Sequence, residues 1–252
     1  MLYQAGASHL GSSMSMVEML LAVYGASDIE KIRAKAPDRD RVIVSKGHCA
    51  SAVYASMAHS GVLDLSLLET YHRDGSMLAG HVSHGVAQVE HSTGALGHGL
   101  PVACGCAFGL RSRGFDKARV FVLLGDGELQ EGSNWEALMF AHHHRLSNLV
   151  TLIDNNRISS ITSTDDVINL NPLSQRFEGF GFAVHSVDGH DQAAIAAALA
   201  RIQEADVPSV IICNTIKGAR IPFAENQPIW HYRTLNEELY NQAVQSLNEE
   251  TR

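Results

Sequence analysis

The chain has no run of about eighteen apolar residues, so nothing in it reads as a membrane span. Its first residues, MLYQAGASHLG, have no basic stretch leading into an apolar core, so no secretory signal is expected. Charge is sparse: Asp, Glu, Lys and Arg make up 18% of 252 residues, a little low for a monomer with its whole surface in water. Net positive charge is missing too; a net charge of -8 argues against a nucleic-acid partner. Cysteine is scarce. Cys49, Cys104, Cys106 and Cys213 show no zinc spacing and read as reduced core or near-core thiols of a cytoplasmic protein. There is no linker rich in Pro or Ser, no internal repeat and no low-complexity segment. Residues 1–252 therefore read as one domain, and 45% hydrophobic residues suffice for a large core.

Glycine and histidine are what the chain has in plenty: 21 and 14 residues, several placed side by side. From Arg73 to His98, glycines at 75, 80, 85, 94 and 97 alternate with histidines at 81, 84, 91 and 98. So long an irregular stretch in a compact domain is usually functional, and its composition does not suit disorder.

Elsewhere the pattern is regular. Met14 to Gly25 reads as one mostly buried helix stopped by Gly25. Val42 to Val44 reads as a short strand, and CASAVYASMAHSG (49–61) as a helix of small residues. GLPVACGCAFGLRSRG (99–114) reads as a glycine- and alanine-rich helix packed close to a neighbour. ARVFVLL (118–124) and NLVTLID (148–154) are apolar throughout, as expected of parallel strands covered on both faces. Between them, SNWEALMFAHHHRL (133–146) reads as a helix. GFAVHSVD (181–188) and PSVIICNT (208–215) add two strands around the helix QAAIAAALARIQ (192–203). A polar helical tail occupies about 234–252. Strand alternating with helix predicts a three-layer α/β/α fold on a mostly parallel sheet.

Such sheets bind ligands beyond the carboxyl ends of their strands. Two ends carry unusual chemistry here: Gly125-Asp126-Gly127 after one apolar strand, and Asp154-Asn155-Asn156 after the next. Either alone is a common turn or loop; together, at the ends of consecutive strands, they make a specific signal. Asp126 supplies a carboxylate, Asn156 an amide oxygen, and the Ile158 carbonyl lies just beyond. That oxygen set suits Mg²⁺ or Ca²⁺, and one carboxylate leaves charge for a diphosphate to neutralise. Gly125 and Gly127 let backbone N–H groups approach phosphate oxygens, and the helix that follows offers its positive end.

GDG followed about thirty residues later by NN resembles the thiamine-diphosphate signature, and GDGELQEGSNWEALMFA, STGALGHGL, DRVIVSKGH and VDGHD resemble transketolases. The chain is most similar to the N-terminal, pyrophosphate-binding subunit of transketolases split over two genes, from Gly6 to about His231. The resemblance implies a thiamine-diphosphate-binding fold and transfer of a two-carbon ketol unit from a ketose, phosphorylated or not, to an aldose. It implies metal ligation by Asp126, Asn156 and the Ile158 carbonyl, and cofactor contacts from His48, Gly94, Leu96, Gly125, Asp126, Gly127, Glu131 and Asn156. It implies catalytic roles for His9, His48, His81 and His231 around the thiazolium and the substrate hydroxyls. Glu131 matches a residue that reaches across the subunit contact. His142, His143 and His144 face different ways on a helix and read as surface or interface.

The family also takes a carboxylate against the aminopyrimidine from a second module. The resemblance therefore implies a separate C-terminal subunit, with two copies of each chain in the assembly. This chain departs from the family pattern at Leu10, His98, Val82 and Tyr232. Those changes bear on the sugar more than on the reaction and suggest a specialised ketose, such as an amino or deoxy sugar phosphate. Other readings are the alpha subunit of a 2-oxoacid dehydrogenase, another ketol synthase, or a scaffold that keeps the fold without turnover. SKGH, with His48 and His81, favours sugars; a dinucleotide oxidoreductase would need a glycine fingerprint that is missing after the first strand.

Overall fold

The computed structural model describes residues 1–202 and 205–250. Five strands form one sheet: β1 (Arg41–Val44), β2 (Val120–Gly125), β3 (Leu149–Asn155), β4 (Ala183–Asp188) and β5 (Ser209–Asn214). Their order across the sheet is β1-β2-β3-β5-β4, and every neighbouring pair is parallel. The register sets Gly125 beside Asp154, and Asp154 beside Cys213. Three strands thus end level, on one edge.

Alternation along β2 explains the layers. Phe121 and Leu123 pack against the helices Val17–Gly25, Ala50–His59 and Gln192–Arg201. Val120, Val122 and Leu124 pack against Gly99–Ser112, Gly132–His143 and Leu173–Gly179. With both faces covered, β2 and β3 are buried at every residue, which is why they read as unbroken apolar runs. Each such Leu, Ile or Phe contributes about 1.5–3 kcal/mol of transfer free energy. All four cysteines are free, with Cys49, Cys104 and Cys213 buried. No helix among the described residues is long and apolar enough to cross a membrane.

The single helix expected over Met14 to Gly25 is two: Leu10–Met14 and Val17–Gly25. Ser15 causes the break. Its hydroxyl donates to the Ser12 carbonyl and reaches Asp154 at the end of β3, drawing the backbone out of helical register. Helix Gln192–Arg201 stops short of the expected range, whose last residue, Gln203, lies outside the described residues. The tail forms the helix Glu237–Glu250, while residues 251 and 252 lie outside the described residues. As expected, no helix or strand occurs between Arg73 and His98. That loop is nevertheless pinned: Val82 N–H donates to the Gly47 carbonyl, and the Thr93 hydroxyl donates to Val44 at the end of β1.

Candidate functional site

A pocket of about 450 Å³ opens at the carboxyl ends of β1, β2 and β3. It is lined by every residue singled out from sequence: His9, His48, His81, Gly94, Leu96, Gly125, Asp126, Gly127, Glu131, Asn156, Ile158 and His231. A larger hollow, about 880 Å³, lies at the opposite ends of the strands. Charged groups there already pair, Arg119 with Asp40 at 2.7 Å and Lys31 with Asp38 at 2.6 Å, so chemistry concentrates in the smaller one.

Asp126 follows β2 directly, its N–H bonded to the Asp154 carbonyl as if the ladder ran one step further. Its carboxylate accepts from Gly127 N–H at 2.8 Å and from Arg157 N–H. Burial, and then the charge of Asp154, push its pKa up to about 6. Asn156 spends its amide nitrogen on Asp154 at 3.0 Å, and its amide oxygen accepts from Ile158 N–H at 3.0 Å. Ile158 turns its carbonyl to the Lys217 ammonium at 3.0 Å.

Two lysines complete this wall, and sequence reasoning missed both. Lys46 is 3% exposed and Lys217 2% exposed. Burial alone would lower the Lys46 ammonium, but its ion pair with Asp154 more than reverses that and raises it. Lys217 pairs with no carboxylate among the described residues and donates to the Ile158 and Ser159 carbonyls; burial and then repulsion by Lys46 bring it down to about 8. A buried ammonium facing neutral oxygens costs free energy unless an anion joins it. The available signal was position: Lys46 lies just after β1 and Lys217 just after β5, on the edge where ligands bind.

Four imidazoles stand opposite. Ring centroids of His9 lie 5.4 Å from His48, 5.5 Å from His81 and 4.9 Å from His231. His9 sits at φ 73, a left-handed conformation uncommon for a non-glycine residue and found where surroundings hold it. Burial lowers His9 and His231 to about 4 and His48 well below its ordinary value, with the lysines and neighbouring imidazoles adding to the effect. At neutral pH these three rings are uncharged and can accept a proton or a hydrogen bond. His84, His91 and His98 stay outside the pocket; His84 bonds Ser92 and His98 bonds the Leu96 carbonyl. His142 and His143 are exposed on their helix, as expected.

The depressed histidines carry a stability consequence. The unfolded chain binds their protons near pH 6.5, the folded chain only near 4. Their contribution is intact above pH 6.5 and is lost as pH falls toward 4. Urea titrations between about pH 7 and about pH 4.5 should show stability falling, with a shallower fall in the His9→Gln/His231→Gln variant. Equal slopes would contradict this.

The loops around the pocket are tied by one buried carboxylate. Glu128 accepts from the Ser45 hydroxyl, from Gly97 N–H at 2.9 Å and from Gly125 N–H at 3.3 Å. Burial pushes its carboxyl up against the pull of those donors. Close backbone approach matters at Gly47, where a Cβ would lie 2.1 Å from the Thr93 carbonyl oxygen. Glu131, by contrast, is exposed at the rim. Among the described residues no three His, Cys, Asp or Glu side chains gather as a metal cluster, so a cation here would rest on the mixed set of Asp126, Asn156 and Ile158.

Residues 1–250 match the family described as transketolase, thiamine diphosphate binding domain. The chain is 39% identical over 244 residues to the first of the two apulose-4-phosphate transketolase chains of Actinobacillus succinogenes, covering 96% of this chain and 88% of that one. It is 36% identical over 248 residues to the 6-deoxy-6-sulfo-D-fructose transketolase subunit SqwG of a Clostridium species, covering 97% and 90%. The transketolase structure from Campylobacter jejuni superposes with a TM-score of 0.77 at 29% identity over 94% of this chain. This chain spans 42% of that longer polypeptide.

Proposed function

This chain belongs to the transketolase thiamine diphosphate-binding domain family, and from that premise we propose that it is the pyrophosphate-binding subunit of a two-subunit transketolase. One observation carries the reading: Asp126, Asn156, Lys46 and Lys217 converge on the same pocket that four imidazoles face. The donor set fits a metal diphosphate. Asp126, Asn156 and the Ile158 carbonyl offer oxygens to Mg²⁺ or Ca²⁺. Lys217, buried with only neutral oxygens for partners among the described residues, offers its ammonium to the phosphates.

Thiamine diphosphate, when bound, supplies the nucleophilic carbon that attacks a ketose carbonyl and holds the two-carbon unit. The chain's own part is to bind, orient and move protons. Lys46 and Lys217 neutralise diphosphate charge; Gly94 and Leu96 form the wall for the aminopyrimidine; His9, His48, His81 and His231 face the substrate hydroxyls. An uncharged imidazole can take a proton from a hydroxyl and return it to a leaving oxygen. The two relatives' names specify a ketose phosphate and a sulfonated ketose, so we assign an anionic ketose as the donor.

Three carboxylates line the pocket, and none is free to serve the aminopyrimidine: Asp126 belongs to the metal set, Glu128 is spent on main-chain N–H groups, and Glu131 points to the rim. The missing carboxylate comes from a separate C-terminal subunit that Glu131 meets. The working unit contains two copies of each chain in the cytoplasm, each copy of this chain being one domain. The test is ketol transfer from an anionic ketose to an aldose, with thiamine diphosphate and Mg²⁺. Activity should require both subunits. Full turnover by this chain alone, or oxidation of a 2-oxoacid with a lipoyl acceptor, would overturn the reading.

A further inference from the structure

Asp154 is 0% exposed and does not line the pocket, yet four side chains from four segments donate to it. Its Oδ2 accepts from Ser15 Oγ at 2.6 Å, from Asn156 Nδ2 at 3.0 Å and from Lys46 Nζ. Its Oδ1 accepts from Thr215 Oγ1. Ser15 lies in the break between two helices, Lys46 just past β1, Thr215 just past β5, and Asn156 just past β3 itself. The same carboxylate raises the pKa of its neighbour Asp126, so its presence there carries a cost that some gain must offset.

That gain lies in Asn156. An amide has two ends of nearly the same shape, and only the oxygen can ligate a cation. Left alone, the amide turns either end to the pocket. Asp154 accepts only N–H, so it captures Nδ2 and leaves Oδ1 for the metal. Ile158 N–H, donating to Oδ1, agrees with that orientation. Resting on the functional reading above, we propose that Asp154 is a positioning residue for the metal diphosphate: it fixes which end of the Asn156 amide faces the cation and holds Lys46 in the wall. Partners that orient metal ligands in this way typically change metal affinity about 10–100-fold when removed.

A double-mutant cycle separates orientation from general structural support. Asp154→Ala is made in the native background and again with Asn156→Asp, whose symmetric carboxylate needs no orienting. Mg²⁺ affinity is measured by calorimetry with saturating thiamine diphosphate, on the full chain with any partner that copurifies. With Asn156 present, Asp154→Ala should weaken Mg²⁺ binding about 10–100-fold. In the Asn156→Asp background, the loss should shrink to about threefold or less. Equal losses in both backgrounds would overturn the proposal. If Asp154→Ala fails to fold by circular dichroism, Asp154→Ser replaces it; the hydroxyl still serves Lys46 but stops short of Asn156. A native chain that binds neither Mg²⁺ nor thiamine diphosphate refutes the functional reading itself; native binding with equal losses refutes only the role of Asp154.

Discussion

Asp126→Asn should lose thiamine diphosphate and metal uptake by at least about a hundredfold, the upper range for disturbing a metal site, while the metal-free chain stays as heat-stable as its parent at about pH 8. The two halves of this result have one cause. Asp126 is buried and faces Asp154, and its pKa is raised from 3.8 to about 6. A carboxylate raised in the folded state makes stability fall as pH rises between those values, because the unfolded chain gives up the proton first. Above pH 6 the full cost is present, about two units or roughly 3 kcal/mol. Asparagine removes that charge and can still accept one of the two N–H donors, from Gly127 or Arg157. The lost hydrogen bond, about 1 kcal/mol, is outweighed. Calorimetric melting without metal at that pH and cofactor titration with Mg²⁺ give the two readings. A variant that melts well below its parent, or still binds, contradicts the assignment.

Glu128→Ala should produce the opposite pattern, a large loss of stability with damage to the pocket as its consequence. Three donors would be orphaned at once: the Ser45 hydroxyl and the N–H groups of Gly97 and Gly125. Each buried unsatisfied donor costs about 1–3 kcal/mol, so the sum is about 3–5 kcal/mol after partial relaxation. In a chain of this size each kcal/mol lowers Tm by about 2–4 °C, giving a drop on the order of 10 °C or more. Glu128→Gln should fall between: its oxygen can serve one pair of donors while its NH₂ meets the remaining N–H. A Tm within about 3 °C of the parent for Glu128→Ala would mean that the loops are held some other way.

The order of these effects follows what was legible in the chain before folding. Strands β2 and β3 were plain because burial on both faces leaves no polar residue to interrupt their apolar character. Their ends were plain because a carboxylate or amide following such a run stands at the ligand edge of the sheet. What local pattern could not show was anything set by distant contacts. The break at Ser15 comes from Asp154, 139 residues away. Lys46 and Lys217 looked like ordinary surface lysines, since lysine is rarely buried unless paired; only the fold shows that β1 and β5 deliver them to one place. Glu128 sat inside the quoted motif without a role, because its partners Ser45 and Gly97 belong to other loops. The histidines took their meaning from family motifs. The structure gathers His9, His48, His81 and His231 within one pocket, while His84, His91 and His98, of the same glycine-rich composition, remain outside.

The central claim is that this chain supplies the diphosphate half of a cofactor site that a second polypeptide completes. Native mass spectrometry of the chain isolated from its own cells tests it most directly. The expected spectrum shows the chain in a complex with a different, longer polypeptide in equal numbers, carrying thiamine diphosphate and a divalent ion. A chain that arrives alone, and stays empty after thiamine diphosphate and Mg²⁺ are added, would contradict the account.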